Sequence, residues 1–316
     1  MMPSKAIVTG GAGFIGSHIV DELIKRSIET IVIDDFSTGS MENLKSHKDN
    51  PLLRVMVGDI KDIKQVLRDV DGVDTVFHEA AIVSVPRSIH EPMLVHDVNV
   101  NGALEVMNFC VSKHVRRFVF ASSAAVYGII NGPYASEDLI CAPSTPYGAS
   151  KFAVEAYVSA YYRTYGLEGV MLRYFNVYGP RQKNGDYSGV ITVLTNNLLQ
   201  GKQPVIFGDG LQTRDFVNVK DIVQANMLAM ESEVSPGEAF NVASGNSTSV
   251  LQLFENLRKL TQTPDIQNRF APPRPGDVLR GAASITKIRK ILGYASSVNL
   301  NEGLTELVRS VGIPAQ

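Results

Sequence analysis

The stretch KAIVTGGAGFIGSHIVDELIKRS, residues 5 to 27, constrains the fold more than any other part of the chain. It reads as a buried apolar run (5 to 10), a glycine-rich turn and a helix (14 to 27). Gly10, Gly13 and Gly16 fall three apart, and Gly11, Gly13 and Gly16 satisfy G-x-G-x-x-G. Glycines let the backbone turn tightly and let a pyrophosphate approach the N–H groups of a helix N-terminus. Alone the pattern is weak, because glycine turns are common. Here it stands between a strand and a helix, and Asp34 ends the next apolar run 18 residues after Gly16. A carboxylate there accepts from ribose hydroxyls and repels a 2′-phosphate, so NAD is expected rather than NADP. Asp59, ending the third apolar run, has two readings: a contact to adenine or a helix N-cap.

The first half of the chain continues this alternation. Residues 30–35, 53–59, 74–81, 116–123 and 168–176 read as strands rich in Val, Ile and Phe. Residues 63–70, 99–114 and 150–166 read as helices. Such strands separated by helices predict an α/β fold, a Rossmann-type doubly wound parallel sheet with helices on both faces. After residue 176 Pro- and Gly-rich loops interleave with short elements at 204–207 and 219–232. The expected division is an NAD-binding domain over 1–176, with the chain returning at about 215–245. Residues 177–316 then form mainly a smaller mixed α/β lobe for the substrate.

The chain has 316 residues, enough for one large domain or two lobes. A formal net charge of −2 does not favour a polyanionic partner, so no nucleic acid is expected. No apolar run approaches the ~20 residues of a membrane span. Too few residues precede the first strand for a signal peptide. Cys110 and Cys141 form no spacing motif and fit a reducing compartment. No metal is expected, and the location expected is cytoplasmic.

The chemistry points to SSAAVYG (122 to 128) and YGASK (147 to 151). Tyr147 and Lys151 share one helix face if the helix starts near Pro146. A free tyrosine is a poor base at neutral pH. An ammonium one turn away is expected to stabilise the phenolate. Ser123 sits where a parallel strand ends, the edge at which such sheets bind ligands. Serine, tyrosine and lysine together make a proton relay for oxidising a secondary alcohol.

At this point the chain resembles the extended short-chain dehydrogenase/reductases, specifically the nucleotide-sugar epimerases and dehydratases. The motifs that carry the resemblance are GGAGFIGSH, DDFSTG, GDI, HEAA, NVNGA, SSAAVYG, YGASK, RYFNVYGPRQ, RDFVNVKDIV and RPGD, nearly end to end. The resemblance implies that NAD is held by Gly10, Gly13, Phe14, Ile15 and Gly16 in the loop. It adds Asp34, Asp35, Ser37, Thr38 and Gly39 after the second strand, and Asp59 and Ile60 after the third. Ala80, Ala81, Val83, Asn99, Tyr147, Lys151, Tyr174 and Phe175 complete that set. It places Ser84, Ser123, Tyr147, Asn176, Val190, Phe207, Arg214, Arg274 and Asp277 on a UDP-sugar, with Ser123, Tyr147 and Lys151 catalytic. It also implies a homodimer through helices 99–114 and 150–166.

Relatives of this kind oxidise sugar C4 and then diverge. The 4,6-dehydratases carry an Asp-Glu pair just after the hydroxyl residue, and UDP-glucuronate decarboxylases keep a Glu. Here Ala124 and Ala125 stand instead, and a methyl group transfers no proton. The expected activity is therefore 4-epimerisation of a UDP-hexose: oxidation, rotation of the 4-keto sugar, and re-reduction. SVPRS (84 to 88) resembles enzymes acting on UDP-glucose or UDP-N-acetylglucosamine. Gly281, at a position that limits pocket size in relatives, leaves room for an N-acetyl group. Ser284 is expected to cap a helix where relatives carry Asp. A UDP-glucuronate 4-epimerase is the rival enzyme, with Arg87 as its candidate cation. A non-catalytic NAD-sensing regulator is the rival outside catalysis, though such proteins tend to lack the Tyr–Lys pair.

Overall fold

The computed structural model describes residues 3–130, 132, 134–182, 189–233, 236–273 and 281–311. Seven strands form one parallel sheet. They are β1 (Lys5–Thr9), β2 (Glu29–Asp34), β3 (Leu53–Val57), β4 (Thr75–His78), β5 (Arg117–Ser123), β6 (Glu168–Tyr174) and a last strand, Glu238–Val242. In space the last strand lies beside β6, followed by β5, β4, β1, β2 and β3. The chain runs outward from β1 to β3, then returns to lay β4 on the other side of β1. Ligands bind in such sheets at the strand C-termini where the order reverses, here the ends of β1 and β4.

The apolar runs are explained by burial on both faces. Ala6, Ile7 and Val8 of β1, and Phe118, Val119 and Phe120 of β5, are buried. One face packs α1 (Phe14–Lys25), through Ile19, Val20 and Leu23, with Ile222 and Met230 of the Val219–Glu231 helix. The other face packs Val106 and Met107 of the Gly102–Ser112 helix with Val154 and Val158 of the Pro146–Tyr165 helix. A third core lies apart from both and is built only of residues after 176, among them Leu194, Phe216, Phe254, Leu257 and Leu304.

Several boundaries differ from the sequence reading. β4 ends at His78, so Glu79, Ala80 and Ala81 leave the strand and line the sheet edge. The helix bearing Tyr147 begins at Pro146, with Thr145 accepting the Gly148 N–H at 3.1 Å and proline in the first turn, where no N–H is needed. The helix expected from residue 99 is preceded by a π-helical turn, Asp97–Asn101, around a buried Asn99. Ser284 is not the N-cap residue of Thr286–Leu292, which is Ile285, but its Oγ accepts the N–H of Thr286, the first helical residue, at 3.5 Å. Among the described residues, no helix is long and apolar enough to cross a membrane.

Candidate active site

The glycine loop is closed by contacts only glycine permits. Gly10 has φ +67°, and a Cβ there would lie 2.8 Å from the Ala80 nitrogen. A Cβ on Gly16 would lie 2.3 Å from the Gly10 carbonyl oxygen. Gly13 is the N-cap of α1 and brings no side-chain cap, and the first turn carries no acidic residue. The N–H groups of Phe14, Ile15 and Gly16 therefore point out of the helix end toward whatever anion lies there. Asp34, buried at the end of β2, accepts from the Ala12 N–H and the Phe36 N–H, both at 2.9 Å. It packs so close to Gly39 that a Cβ there would lie 2.7 Å from its Oδ1. Asp35 accepts from the Ser37 N–H and hydroxyl at 2.9 and 2.7 Å, which shapes the turn that continues through Thr38 and Gly39. Helix-end donors on one side and a carboxylate on the other are the donor set a dinucleotide requires, so these residues fit NAD. Asp59 caps the short turn Ile60–Asp62, taking the Lys61 N–H at 2.9 Å, and Ile60 is buried. Of its two sequence readings, the cap is the contact observed.

The loop after β4 is pinned by Asn99. Its Oδ1 accepts the Ile82 N–H at 2.8 Å, and its Nδ2 donates to the Ile82 carbonyl and the Ser150 hydroxyl, both at 3.0 Å. Ser150 precedes Lys151, so one amide sets the spacing between the Ala80–Val83 loop and the helix carrying Tyr147 and Lys151. Val83 is exposed, whereas Ser84 is buried and caps the Val85–His90 helix by accepting the Arg87 N–H. Arg87 pairs with Glu91 at 3.2 Å on the same side of the chain.

Ser123 ends β5 and accepts the Ala125 N–H at 3.2 Å. Its side chain is near enough to the Tyr147 phenol to draw it down against burial. Lys151 is buried, donates to the Ala121 carbonyl at 2.8 Å, and lies 5.0 Å from the centre of the Phe120 ring. The three residues expected to act together are therefore brought together. Their electrostatics differ from expectation. Burial pushes the Tyr147 phenol above its ordinary range; Ser123 works against this and the Glu79 carboxyl adds to it. Burial brings the Lys151 ammonium down to about 8, and Glu79 opposes that shift. The reason is burial, which comes first for both groups, with the Glu79 carboxyl raising each of them.

Glu79 itself is raised to about 7, first by burial, with the Tyr174 hydroxyl and then Lys151 pulling it down. The Tyr174 hydroxyl donates to Glu79 Oε1 at 2.8 Å and receives the amide of buried Asn226 at 2.7 Å. No role for Glu79 follows from the sequence reading. Its one signal was an acidic residue directly after the short run TVFH, in HEAA. Missed as well was the network beneath Ser123, where Ser122, Glu155, Arg173 and Tyr127 are joined side chain to side chain.

Phe175, expected on the cofactor, is buried and its N–H donates to the Val242 carbonyl at 3.1 Å. The remaining residues expected on the sugar nucleotide follow it in the chain. Asn176 donates to the Asp215 carbonyl at 3.0 Å. Val190 opens the Val190–Leu199 helix, half-buried. Phe207, half-buried, ends the strand Val205–Phe207, and Arg214 lies in the strand Thr213–Arg214 with Nη1 on the Thr213 carbonyl. Arg274 and Asp277 lie outside the described residues.

Known proteins share this arrangement. The model of the NAD dependent epimerase/dehydratase family matches residues 6–243. The UDP-glucose 4-epimerase of Mycolicibacterium smegmatis is 36% identical over 311 residues, 96% of this chain and 97% of that protein. The UDP-glucose 4-epimerase of Thermotoga maritima, crystallised with UDP-glucose, superposes with a TM-score of 0.91 at 38% identity, covering 97% of this chain and 98% of the other. The UDP-N-acetylglucosamine 4-epimerase of Methanobrevibacter ruminantium, in complex with UDP-N-acetylmuramic acid, gives 0.92 at 37% identity over 98% and 99%. With the helix-end donors at the close of β1 and the serine, tyrosine and lysine gathered at the close of β5, this chain belongs to the NAD-dependent epimerase/dehydratase family.

Proposed function

We propose that the protein interconverts a UDP-hexose with its C4 epimer, the UDP-glucose and UDP-galactose pair first and the N-acetylated pair as well. The observation that carries the reading is Ser123 at the end of β5 beside the helix that bears Tyr147 and buried Lys151, with only the methyl groups of Ala124 and Ala125 following. The named activities of the Thermotoga and Methanobrevibacter enzymes support it. A glucuronate substrate gains nothing here, since Arg87 is paired with Glu91.

NAD, when bound, supplies reversible hydride chemistry at C4. The first turn of α1 and the Asp34 carboxylate are the groups that would hold it, with Lys151, Tyr174 and Phe175 further along the same cleft. Ser123 orients the 4-hydroxyl, and Tyr147 accepts its proton as C4 becomes a carbonyl. Lys151 stabilises the phenolate form of Tyr147 that takes this proton, and the phenol is neutral once it has. Asn176, Phe207 and Arg214, with Arg274 and Asp277, hold the nucleotide half while the 4-keto sugar turns. Tyr147 then returns the proton to the oxygen, now on the other configuration. Elimination requires an acid–base pair beside the sugar, and methyl groups provide none.

Residues 1–176 with the return at about 215–245 form the NAD-binding part in this reading, and 177–316 mainly the sugar-nucleotide part. The last sheet strand, Glu238–Val242 beside β6, supports that division. A homodimer is inferred through the Gly102–Ser112 and Pro146–Tyr165 helices. The Tyr161 hydroxyl ties them to one another through Asn108 at 2.7 Å, while Phe152, Tyr157, Tyr162 and Tyr165 are exposed. The test of function is NMR of UDP-glucose and UDP-N-acetylglucosamine incubated separately with the protein and NAD. The galacto epimers are the expected sole products. A 4-keto-6-deoxy sugar, or no turnover of either substrate, would overturn the reading.

A further inference from the structure

Glu79 is a buried ionisable side chain beside Tyr147 and Lys151 that the proposed chemistry leaves without a task. Its backbone is fixed. The N–H donates to the Thr9 carbonyl at 3.2 Å, and the next N–H, of Ala80, meets the Thr9 hydroxyl at 3.3 Å. Gly10 of the glycine loop packs on the same segment, with its Cβ position 3.1 Å from the Glu79 carbonyl carbon. Its side chain is fixed as well. Oε1 receives the Tyr174 hydroxyl, and that hydroxyl is itself held by Asn226, whose amide also bonds the Ile222 carbonyl at 2.9 Å. Three elements distant in sequence thus converge to hold one carboxyl at the edge of the sheet where β1 and β4 end.

Every titratable group packed around it can be named. Tyr174 comes from β6, and Tyr147 and Lys151 come from the Pro146–Tyr165 helix. His78, its neighbour on β4, is buried and held neutral, its ring nitrogen bonded to the Thr9 hydroxyl at 2.9 Å. The end of β4 and the Pro146–Tyr165 helix meet at the sheet edge: the His78 ring, next to Glu79, stacks on Phe120 at 6.0 Å, Lys151 Nζ lies 5.0 Å from the centre of that same ring, and Asn99 ties Ile82 to Ser150. There Lys151 is the cation acting on Glu79, and Glu79 the anion acting on both Lys151 and Tyr147. The side-chain hydrogen bond described for this carboxyl is the one from Tyr174 to Oε1. On the pair, Glu79 acts through charge.

We propose that Glu79 is a positioning residue that sets the protonation of the Tyr147–Lys151 pair: anchored by the Tyr174 hydroxyl, its ionised carboxyl holds the Lys151 ammonium and opposes the Tyr147 phenolate, and its protonation releases both. The inference rests on Tyr147 being the base. Its direction is set by Coulomb's law. A negative charge near the pair disfavours loss of either proton, so removing it makes both groups more acidic. Because the two groups interact, the two limbs of the pH profile belong to the pair.

The experiment is the pH dependence of kcat/KM for UDP-glucose in wild type, Glu79→Gln, Tyr174→Phe and the double variant, each with NAD. Glutamine keeps the oxygen that accepts from Tyr174, so it removes charge while retaining the contact. In Glu79→Gln both limbs of the bell are expected to move to lower pH. Tyr174→Phe removes the donor that favours the ionised carboxyl, so it moves the bell the same way by less. The double variant moves it no further than Glu79→Gln alone. A Glu79→Gln profile that superimposes on wild type, with only a lower maximum, makes Glu79 a packing residue and overturns the proposal. If Glu79→Gln does not fold, an unshifted Tyr174→Phe profile overturns it equally. Turnover surviving in Tyr147→Phe, run alongside, refutes the identity of the base instead.

Discussion

Glu155 stands one helical turn beyond Lys151 and receives Arg173 at two points, Nε on Oε1 at 2.9 Å and Nη2 on Oε2 at 2.7 Å. Both residues are buried. Glu155 also accepts the Ser122 hydroxyl at 2.5 Å, and Arg173 reaches the Tyr127 hydroxyl at 2.9 Å and covers that ring at 4.8 Å. Tyr127 in turn donates to Asn241 at 2.6 Å. The ion pair therefore joins the catalytic helix to β5, β6 and the last strand, directly beneath Ser123.

Truncating Glu155 to alanine leaves the Arg173 guanidinium buried with its ionic partner gone. Breaking a buried pair in this way costs about 3–5 kcal/mol. Urea unfolding of Glu155→Ala is expected to show that loss. Glu155→Met combined with Arg173→Leu is expected to recover part of it, because it removes both charges. A single variant as stable as wild type would show the pair contributes nothing to the fold.

Tyr147→Phe keeps the ring on the Pro146–Tyr165 helix and removes the phenol oxygen proposed as the base. Epimerisation is expected to fall by at least ~100-fold, the lower range for losing a general base. NAD binding, followed by fluorescence quenching, is expected to persist, because α1 and Asp34 are untouched.

Gly281 shows where an open position in sequence is not open in space. A Cβ there would lie 3.0 Å from the Thr213 carbonyl oxygen and 3.4 Å from Arg214 Cδ. A side chain at 281 meets Arg214, one of the residues proposed to hold the nucleotide. Gly281→Tyr is therefore expected to raise KM for UDP-glucose and UDP-N-acetylglucosamine together, through displacement of Arg214. A selective loss of the N-acetyl sugar would restore the pocket-size reading.

His78 is buried between Thr9 and the stacked rings of Phe118 and Phe120, and burial lowers it from 6.5 to about 3, with Lys151 adding to the shift. The unfolded chain binds a proton on this histidine below about 6.5, and the folded chain does not until about 3. Its stabilising contribution is whole above 6.5 and is lost as pH falls through that window. Melting temperatures of wild type are expected to decline more steeply on acidification than those of His78→Gln. Parallel curves would place the acid sensitivity elsewhere.

What the amino-acid sequence determined by itself is whatever a local pattern carries. The strand–glycine–helix unit at 5 to 27 and the alternation of apolar runs with helices required the doubly wound sheet, since side-chain period and turn chemistry act over a few residues. The Tyr147–Lys151 spacing and the alanines after Ser123 fixed the chemistry available, because helical spacing and functional groups are local too. Tertiary structure decided the energies. Glu79 acquires meaning only because Tyr174 and Asn226 reach it from far along the chain, and Glu155 only because Arg173 lies across from it. The raised phenol and the lowered amine follow the same rule. Desolvation depends on which atoms fill the surrounding space, and packing brings those atoms from every part of the chain.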